Sequence, residues 1–364
     1  MKPLLRRHKN HISYNFWGLI FLIPFFVIFI WLQLVPLGRT FYYAFEKYFY
    51  STGKGSFIGP TFCGWDNFAY IFTNGAIRKY YFFDQSIGSW WMPDIAYYLA
   101  NTLIIWLMGF IPQIIVSLAL AIWFTDARLK LKFTRFWKTV MYMPNLIMAA
   151  AFGMLFLMLF SSDGPVVQIL MSMGILHEQF SFGDSEFWVR FIIALINFLM
   201  WFGNTTLLLM SGVMGIDESI FESAVVDGSS AHHTFWAITF PLLKPIFIYV
   251  FITSLIGGIQ LFDVAWMVTR GGGGPNLTSL TVMSYLYMLI NKAKNYGQAG
   301  ALSIVMFFIT AALSMSVFYV SISQKNPEKG VARERRKRFR TYKDCDPTRL
   351  EMARISHQQG GISL

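Results

Sequence analysis

The chain has 364 residues, of which 55% are hydrophobic, 18% aromatic and only 13% charged, and its formal net charge is +11. That composition excludes a soluble globular domain and reads as an integral membrane protein. The basic excess suits the anionic lipids of a cytoplasmic leaflet and gives no reason to invoke nucleic acid as a partner.

Residues 1–14 open with the basic run "MKPLLRRHKN", which keeps the N-terminus in the cytoplasm because basic segments resist translocation. The first apolar run, Asn15 to Leu37, is over-long for a cleaved signal peptide and lacks a small-residue cleavage site. Five further runs are long enough to cross a hydrocarbon core of about 30 Å, which needs roughly 20 helical residues. They are Ile95 to Phe124, Val140 to Phe160, Phe191 to Met214, Ile246 to Val268 and Ala299 to Ile322. Leu280 to Ile290 would rise only about 16 Å and is expected as a surface or re-entrant element. The expected fold is therefore all-α: a polytopic membrane protein with six transmembrane helices in one domain, residues 15–323. Both termini then lie inside, as does the basic loop "TDARLKLKFTRFWK" from Thr125. Residues 324–364, with "KNPEKGVARERRKRFRTYKD", form a basic cytoplasmic tail expected to be disordered or to lie on the membrane. Cys63 falls outside and Cys345 inside, so the two cannot pair.

One cytoplasmic loop, residues 215–245, breaks the charge pattern. It carries Asp217, Glu218, Glu222 and Asp227 against the single base Lys244, so it is expected to face a protein rather than lipid phosphate. Ser219 followed by Glu222 has the spacing of a capping box, and Phe221, Ala224 and Val225 form an apolar stripe at helical spacing. Gly228 can take the left-handed conformation that ends a helix, and Ser229 or Ser230 can cap the next. That second helix, from Ala231 to about Thr239, is expected to stop ahead of Pro241.

Glu222, Ser223, Ala224, Asp227, Gly228, Phe235, Ile238, Pro241 and Pro245 stand in the order and spacing of the EAA motif of ABC-importer membrane subunits. Ser223 and Phe240 replace an alanine and a leucine of that pattern. "FLIPFFVIFIWLQLVPLGRTFYYAF", "FCGWDNFAYIF", "NTLIIWL", "FTRFWKTVMYMPNLI", "FDVAWMVTRGGGGP" and "YGQAGALSIVMFFI" extend the likeness from about Asn15 to Ser323. Over that range the chain resembles the carbohydrate-importer permeases of the maltose and glycerol-phosphate type.

The resemblance implies the type I permease fold of ABC importers, in a bacterial cell membrane. It also implies a second homologous permease subunit, a cytoplasmic ATPase dimer, an extracellular solute-binding protein and a sugar substrate. Glu222, Ser223, Ala224, Asp227, Gly228, Phe235 and Pro241 would couple to the ATPase. The chain has no G-x-x-x-x-G-K-[ST] sequence: "STGKGS" at Ser51 lacks the first glycine. It is therefore expected to be no enzyme and to bind no cofactor, with ATP and Mg held by the partner ATPase.

Family members bind sugar midway across the membrane, on helix faces flanking this loop. Two stretches can be read against that: Asn197, Met200, Trp201 and Asn204 on the fourth span share one face, and so do Ser254, Gly257, Gly258 and Leu261 on the fifth. Asparagine in hydrocarbon demands a cavity or a helix contact, and close helix packing explains the small residues as readily as a ligand does. His232 and His233 point about 100° apart and are no metal pair. "RGGGGP" from Arg270 is expected to be a flexible external turn, and Asp263 to be either a gate or a solvated rim residue. A stand-alone secondary transporter or channel for a small polar solute is the other function class. It asks for mid-membrane ionisable groups, of which Asp263 is the one acidic candidate in these spans.

Overall fold

A computed structural model of the chain describes residues 14–82, 85–126, 132–175 and 180–323. The expectations for the basic N-terminus, for residues 127–131 of the basic stretch after Thr125 and for the tail from residue 324 lie outside the described residues. Contacts divide the chain into Met1–Ala312 and Leu313–Leu364. Within the second unit, the described part is the end of the last helix, to Ser323.

The first span comprises α1 (Tyr14–Phe29) and α2 (Val35–Ala44), joined by a π-helical turn at Ile30–Leu34. The Val35 N–H reaches back to Ile30 O, five residues away, one residue ahead of Pro36. The wider turn displaces the carbonyl that a proline ring would otherwise strike. α1 is apolar all round, and the most apolar stretch of Ile20–Ala44 buries nothing within the chain. Such a helix needs lipid or another subunit around it.

Residues 46–93 leave the membrane as two antiparallel hairpins that the all-helical reading did not anticipate. β1 (Glu46–Ser51) pairs with β2 (Ser56–Phe62), α3 (Asp66–Thr73) follows, and β3 (Gly75–Phe82) pairs with β4 (Gln85–Pro93). The "STGKG" run is the first hairpin's turn, where Gly55 takes φ +61°.

The core of the bundle is α4 (Asp94–Thr125) lying parallel to α8 (Glu186–Met214). Gly109 lets the Ala194 carbonyl approach to where a Cβ would stand 2.9 Å away. Gln113 Nε2 donates to Thr205 Oγ1 at 2.7 Å, and Ser117 Oγ to Phe202 O at 2.9 Å. These are the small and hydrogen-bonding residues that hold helices together where no hydrophobic force acts between them.

Against this pair lies the third span, and here the expected continuous helix is corrected. α5 (Thr134–Leu146) and α6 (Ala149–Leu159) meet at a 90° bend. Pro144 removes a backbone donor, and Ile147 and Met148 are extended. Asn145 Nδ2 ties the bend to α8 through Met200 O at 3.2 Å, and Gly203 makes room for the Met141 carbonyl. α7 (Pro165–Ser172) leads back toward α8.

After α8 come α9 (Glu218–Val226), α10 (Ala231–Thr234), a π turn at Phe235–Thr239 and α11 (Phe240–Ile259). Here too the sequence reading is corrected. The helix from Ala231 does not stop before Pro241. Phe240 N–H bonds Phe235 O, five residues back, and helix runs on from Ala231 to Ile259. The first and fifth spans thus pass Pro36 and Pro241 by one device. At its far end the fifth span stops at Ile259, short of the expected Val268. Gln260 to Phe262 are non-helical, and α12 (Asp263–Val268) is a separate short helix packed on α6 at Gly153.

α13 (Val282–Asn291) is the expected short element, with Val282 fully buried, and α14 (Tyr296–Ser323) is the last span. Among the described residues, five helices are long and apolar enough to cross a membrane, or six with the bent pair as one span.

Candidate functional site

The acidic loop folds as a helix, a tight turn and a helix, with caps that differ in one place from the reading above. Asp217, not Ser219, is the N-cap of α9: its Oδ1 accepts from Ser219 N at 3.0 Å. The Ser219 amide, and after it the Ser219 hydroxyl, hold the Asp217 carboxyl below the usual carboxylate range. At the other end Gly228 N donates to Val225 O and Ser229 N to Ala224 O, with Gly228 at φ +72°. This is the Schellman arrangement, which glycine completes without strain. Ser230 Oγ then accepts from His233 N at 3.2 Å and caps α10.

Phe221 is half-buried and Ala224 buried, but Val225 does not join them: it is 54% exposed and Val226 87% exposed. Glu222, Ser223, Asp227 and Pro241 are exposed as well, while Phe235 is half-buried in the π turn. The loop therefore presents acids and two valines outward. His232 Nε2 accepts from Trp236 Nε1 at 3.1 Å, and among the described residues no cluster could hold a metal ion.

The two helix faces named from the sequence divide differently. On α8, Met200 is buried in the core, Asn197 and Asn204 are half-buried, and Trp201 is 46% exposed. On α11, Ser254 Oγ accepts from the Trp106 indole at 3.1 Å, and the Trp106 ring lies where a Gly258 side chain would be. Neighbouring Gly257 is exposed, with nothing within 4 Å of a Cβ built on it. Leu261 is buried beyond the end of the helix, and its carbonyl accepts from Thr281 Oγ1 at 2.7 Å. Asn197, Trp201, Asn204 and Gly257 are thus the open members, while Met200, Ser254, Gly258 and Leu261 are packed.

A polar network missed by sequence reasoning joins α4, α8 and the loop after α12. Arg190 donates to Asn101 Oδ1 at 2.8 Å and to Thr278 O at 3.3 Å. Asn276 Nδ2 reaches Glu186 Oε1 at 2.6 Å, and Tyr97 donates to Asn276 O at 2.7 Å. The available signal was Glu186 and Arg190, four residues apart at the head of an oily helix, where charge is costly unless used. The "RGGGGP" turn is accordingly packed, where a flexible turn was expected. Gly271 and Gly273 are buried with positive φ, and Trp266 and Leu280 pack where their side chains would be. Asp263 is exposed at the start of α12.

Residues 113–326 match the model of the family described as the binding-protein-dependent transport system inner membrane component. The lactose transport system permease protein LacF of Rhizobium radiobacter is 31% identical over 228 residues, covering 62% of this chain and 76% of that one. The multiple sugar-binding transport system permease protein MsmF of Streptococcus mutans is 26% identical over 313 residues, covering 85% and 96%. Among solved structures, a chain of a bacterial ABC transporter involved in the import of the acidic polysaccharide alginate superposes with a TM-score of 0.69 at 18% identity. That superposition covers 86% of this chain and 98% of the other. The capped loop and both helix faces lie inside the matched segment, which is more than half of the chain, and the chain belongs to the binding-protein-dependent transport system inner membrane component family.

Proposed function

We propose that this chain is one of two homologous permease subunits of an ATP-driven importer for a sugar or oligosaccharide, in a bacterial cell membrane with both termini cytoplasmic. One observation carries the coupling part of this reading: α9 and α10 are capped at Asp217, Gly228 and Ser230, and α10 runs through a π turn into the fifth span. A rigid-body push on the acidic, valine-tipped surface by a cytoplasmic ATPase dimer would be carried along one helix into the bundle. ATP and Mg would bind in that partner, and an extracellular solute-binding protein would deliver the sugar.

The sugar class rests on the named relatives, among them LacF and MsmF. The open face of Asn197, Trp201, Asn204 and Gly257 supplies amides for hydroxyls and an indole for the apolar face of a ring. Met200, Ser254, Gly258 and Leu261 would shape that face from behind. Residues 15–323 are the permease domain, residues 215–245 its coupling loop.

A stand-alone secondary transporter finds little support. Glu186 is hydrogen-bonded within the network, and Asp263 sits on a short helix beyond the end of the fifth span. The test is uptake of labelled lactose, trehalose and arabinooligosaccharide into cells expressing the complete system, before and after ATP depletion. Uptake that requires ATP and the binding protein supports the proposal, and uptake driven by an ion gradient without either contradicts it.

A further inference from the structure

A cavity of about 300 Å3 lies where the first hairpin, α3 and the head of α14 meet. Phe49, Tyr70, Lys47, Asp66, Asn295 and Gln298 line it, with Cys63 and Asn67 completing the wall. None of these residues belongs to the helix faces or the loop described above. The cavity lies near the head of α4, whereas α9 follows the tail of the parallel helix α8, so the two sites are at opposite ends of the bundle's core pair.

Three separate chain segments hold the cavity in shape. Asn67 Nδ2 donates to Ala44 O and Glu46 O, both at 2.9 Å. Tyr50 N donates to Lys294 O at 3.0 Å, and Phe49 bridges to Asn295. Gly297 admits the Glu46 carbonyl where any side chain would collide. Asn67 is therefore used up as a fastener. By contrast, the Asp66 carboxylate and the Gln298 side-chain amide have no hydrogen-bond partner among the described residues, and Lys47 stands 5.9 Å over the Phe49 ring.

The lining chemistry selects the ligand. A carboxylate that accepts, an ammonium that donates and amides that do both match vicinal hydroxyls, each of which is donor and acceptor. Two aromatic rings offer apolar surface to the C–H face of a sugar. Lys47 and Asp66 cancel in charge, which favours a neutral ligand, and the volume is at the small end of the about 300–1,000 Å3 typical of ligand sites. We propose that this cavity is an outer subsite for one ring of a neutral saccharide, occupied before the sugar enters the bundle. The inference rests on the sugar-importer reading given above.

Cys63 supplies a reporter inside the cavity. In a Cys345→Ser background it is the one cysteine of this chain, and an impermeant methanethiosulfonate reagent, which reacts with thiols and not with the amine of Lys47 in the same wall, reads its accessibility. The probe is whichever of lactose, trehalose and arabinooligosaccharide the complete transporter carries, tested on the assembled complex in right-side-out vesicles. Without binding protein, that sugar should slow Cys63 labelling several-fold and a sugar that is not carried should leave it unchanged. Asp66→Ala with Gln298→Ala should abolish the protection and raise the uptake KM several-fold, with kcat and complex assembly unchanged. Normal KM in that double variant, or full uptake with no protection, overturns the subsite while leaving the sugar reading intact. Loss of binding-protein affinity in the double variant without sugar would also overturn it, by assigning the cavity to a protein contact. If none of the three sugars is carried, the importer reading for these sugars fails and the subsite fails with it.

Discussion

The Trp106 indole donates to Ser254 Oγ at 3.1 Å while its ring fills the space beside Gly258. Two consecutive glycines of the fifth span therefore have opposite jobs. Gly258→Ala must displace the Trp106 ring, and overpacking of that kind costs about 1–3 kcal/mol. Gly257→Ala meets nothing and gains helix propensity of about 1 kcal/mol. Thermal unfolding of the purified complex should fall for the first variant and hold or rise for the second. Uptake should fall for the second only if Gly257 faces the translocation path. Equal melting temperatures would remove the Trp106 contact from the account.

The same logic separates the residues of α8. Trp201→Ala and Asn204→Ala should lower uptake while the complex still assembles and melts normally. Met200→Ala, at a buried position, should cost about 2–5 kcal/mol of stability. Melting curves and transport assays on the three variants check this. Unchanged uptake in both open-face variants would assign that face to packing.

How far the sequence could be read depends on the range of the interaction. The Schellman turn at Gly228 and the cap at Ser230 were legible because each is set by residues within one helical turn. The N-cap was misplaced by two residues because Asp217 and Ser219 are both good caps, and only the geometry chooses between them. The helix end expected before Pro241 failed because a π turn accommodates that proline, and nothing in residue type announces an extra residue in a turn. The first hairpin did carry signals, the run of strand-favouring aromatics in "EKYFYS" and the glycines of "STGKG", the latter weighed as a phosphate loop instead. The Arg190 network joins positions some ninety residues apart on either side, a register that no local pattern encodes.

Arg190→Ala should expose that register. It strands Asn101 Oδ1 and the Thr278 carbonyl, while Asn101 Nδ2 keeps Leu277 O, and unpaired buried polar groups cost about 1–3 kcal/mol. The melting temperature should drop, and a cysteine introduced at Thr278 should label faster than in an otherwise unaltered chain. Wild-type melting and labelling would mean that the loop holds its shape without Arg190.

The Asp217 cap makes a prediction about pH. Its folded pKa is depressed, so the cap's contribution is present above the ordinary carboxylate value near 4 and lost only as pH falls through the lowered one. Transport-coupled ATPase activity should therefore show no Asp217-dependent step between about pH 5 and 8. Asp217→Ala should lower coupling throughout that range, and Asp217→Asn, which still offers a side-chain oxygen, should restore most of it. A coupling loss in Asp217→Asn as large as in Asp217→Ala would point to charge rather than capping.

The central claim is that the α9–α10 surface carries the ATPase's motion into the bundle, and crosslinking tests it most directly. Val226→Cys, in a chain also bearing Cys63→Ser and Cys345→Ser, places one thiol at the exposed tip of α9. In membranes with the complete transporter, the account predicts a crosslink from this position to the ATPase subunit, one that blocks uptake and ATP hydrolysis together and is lost in Gly228→Val. Uptake that continues at the wild-type rate with position 226 fully crosslinked, or an ATPase that crosslinks elsewhere on the chain and never here, would contradict it.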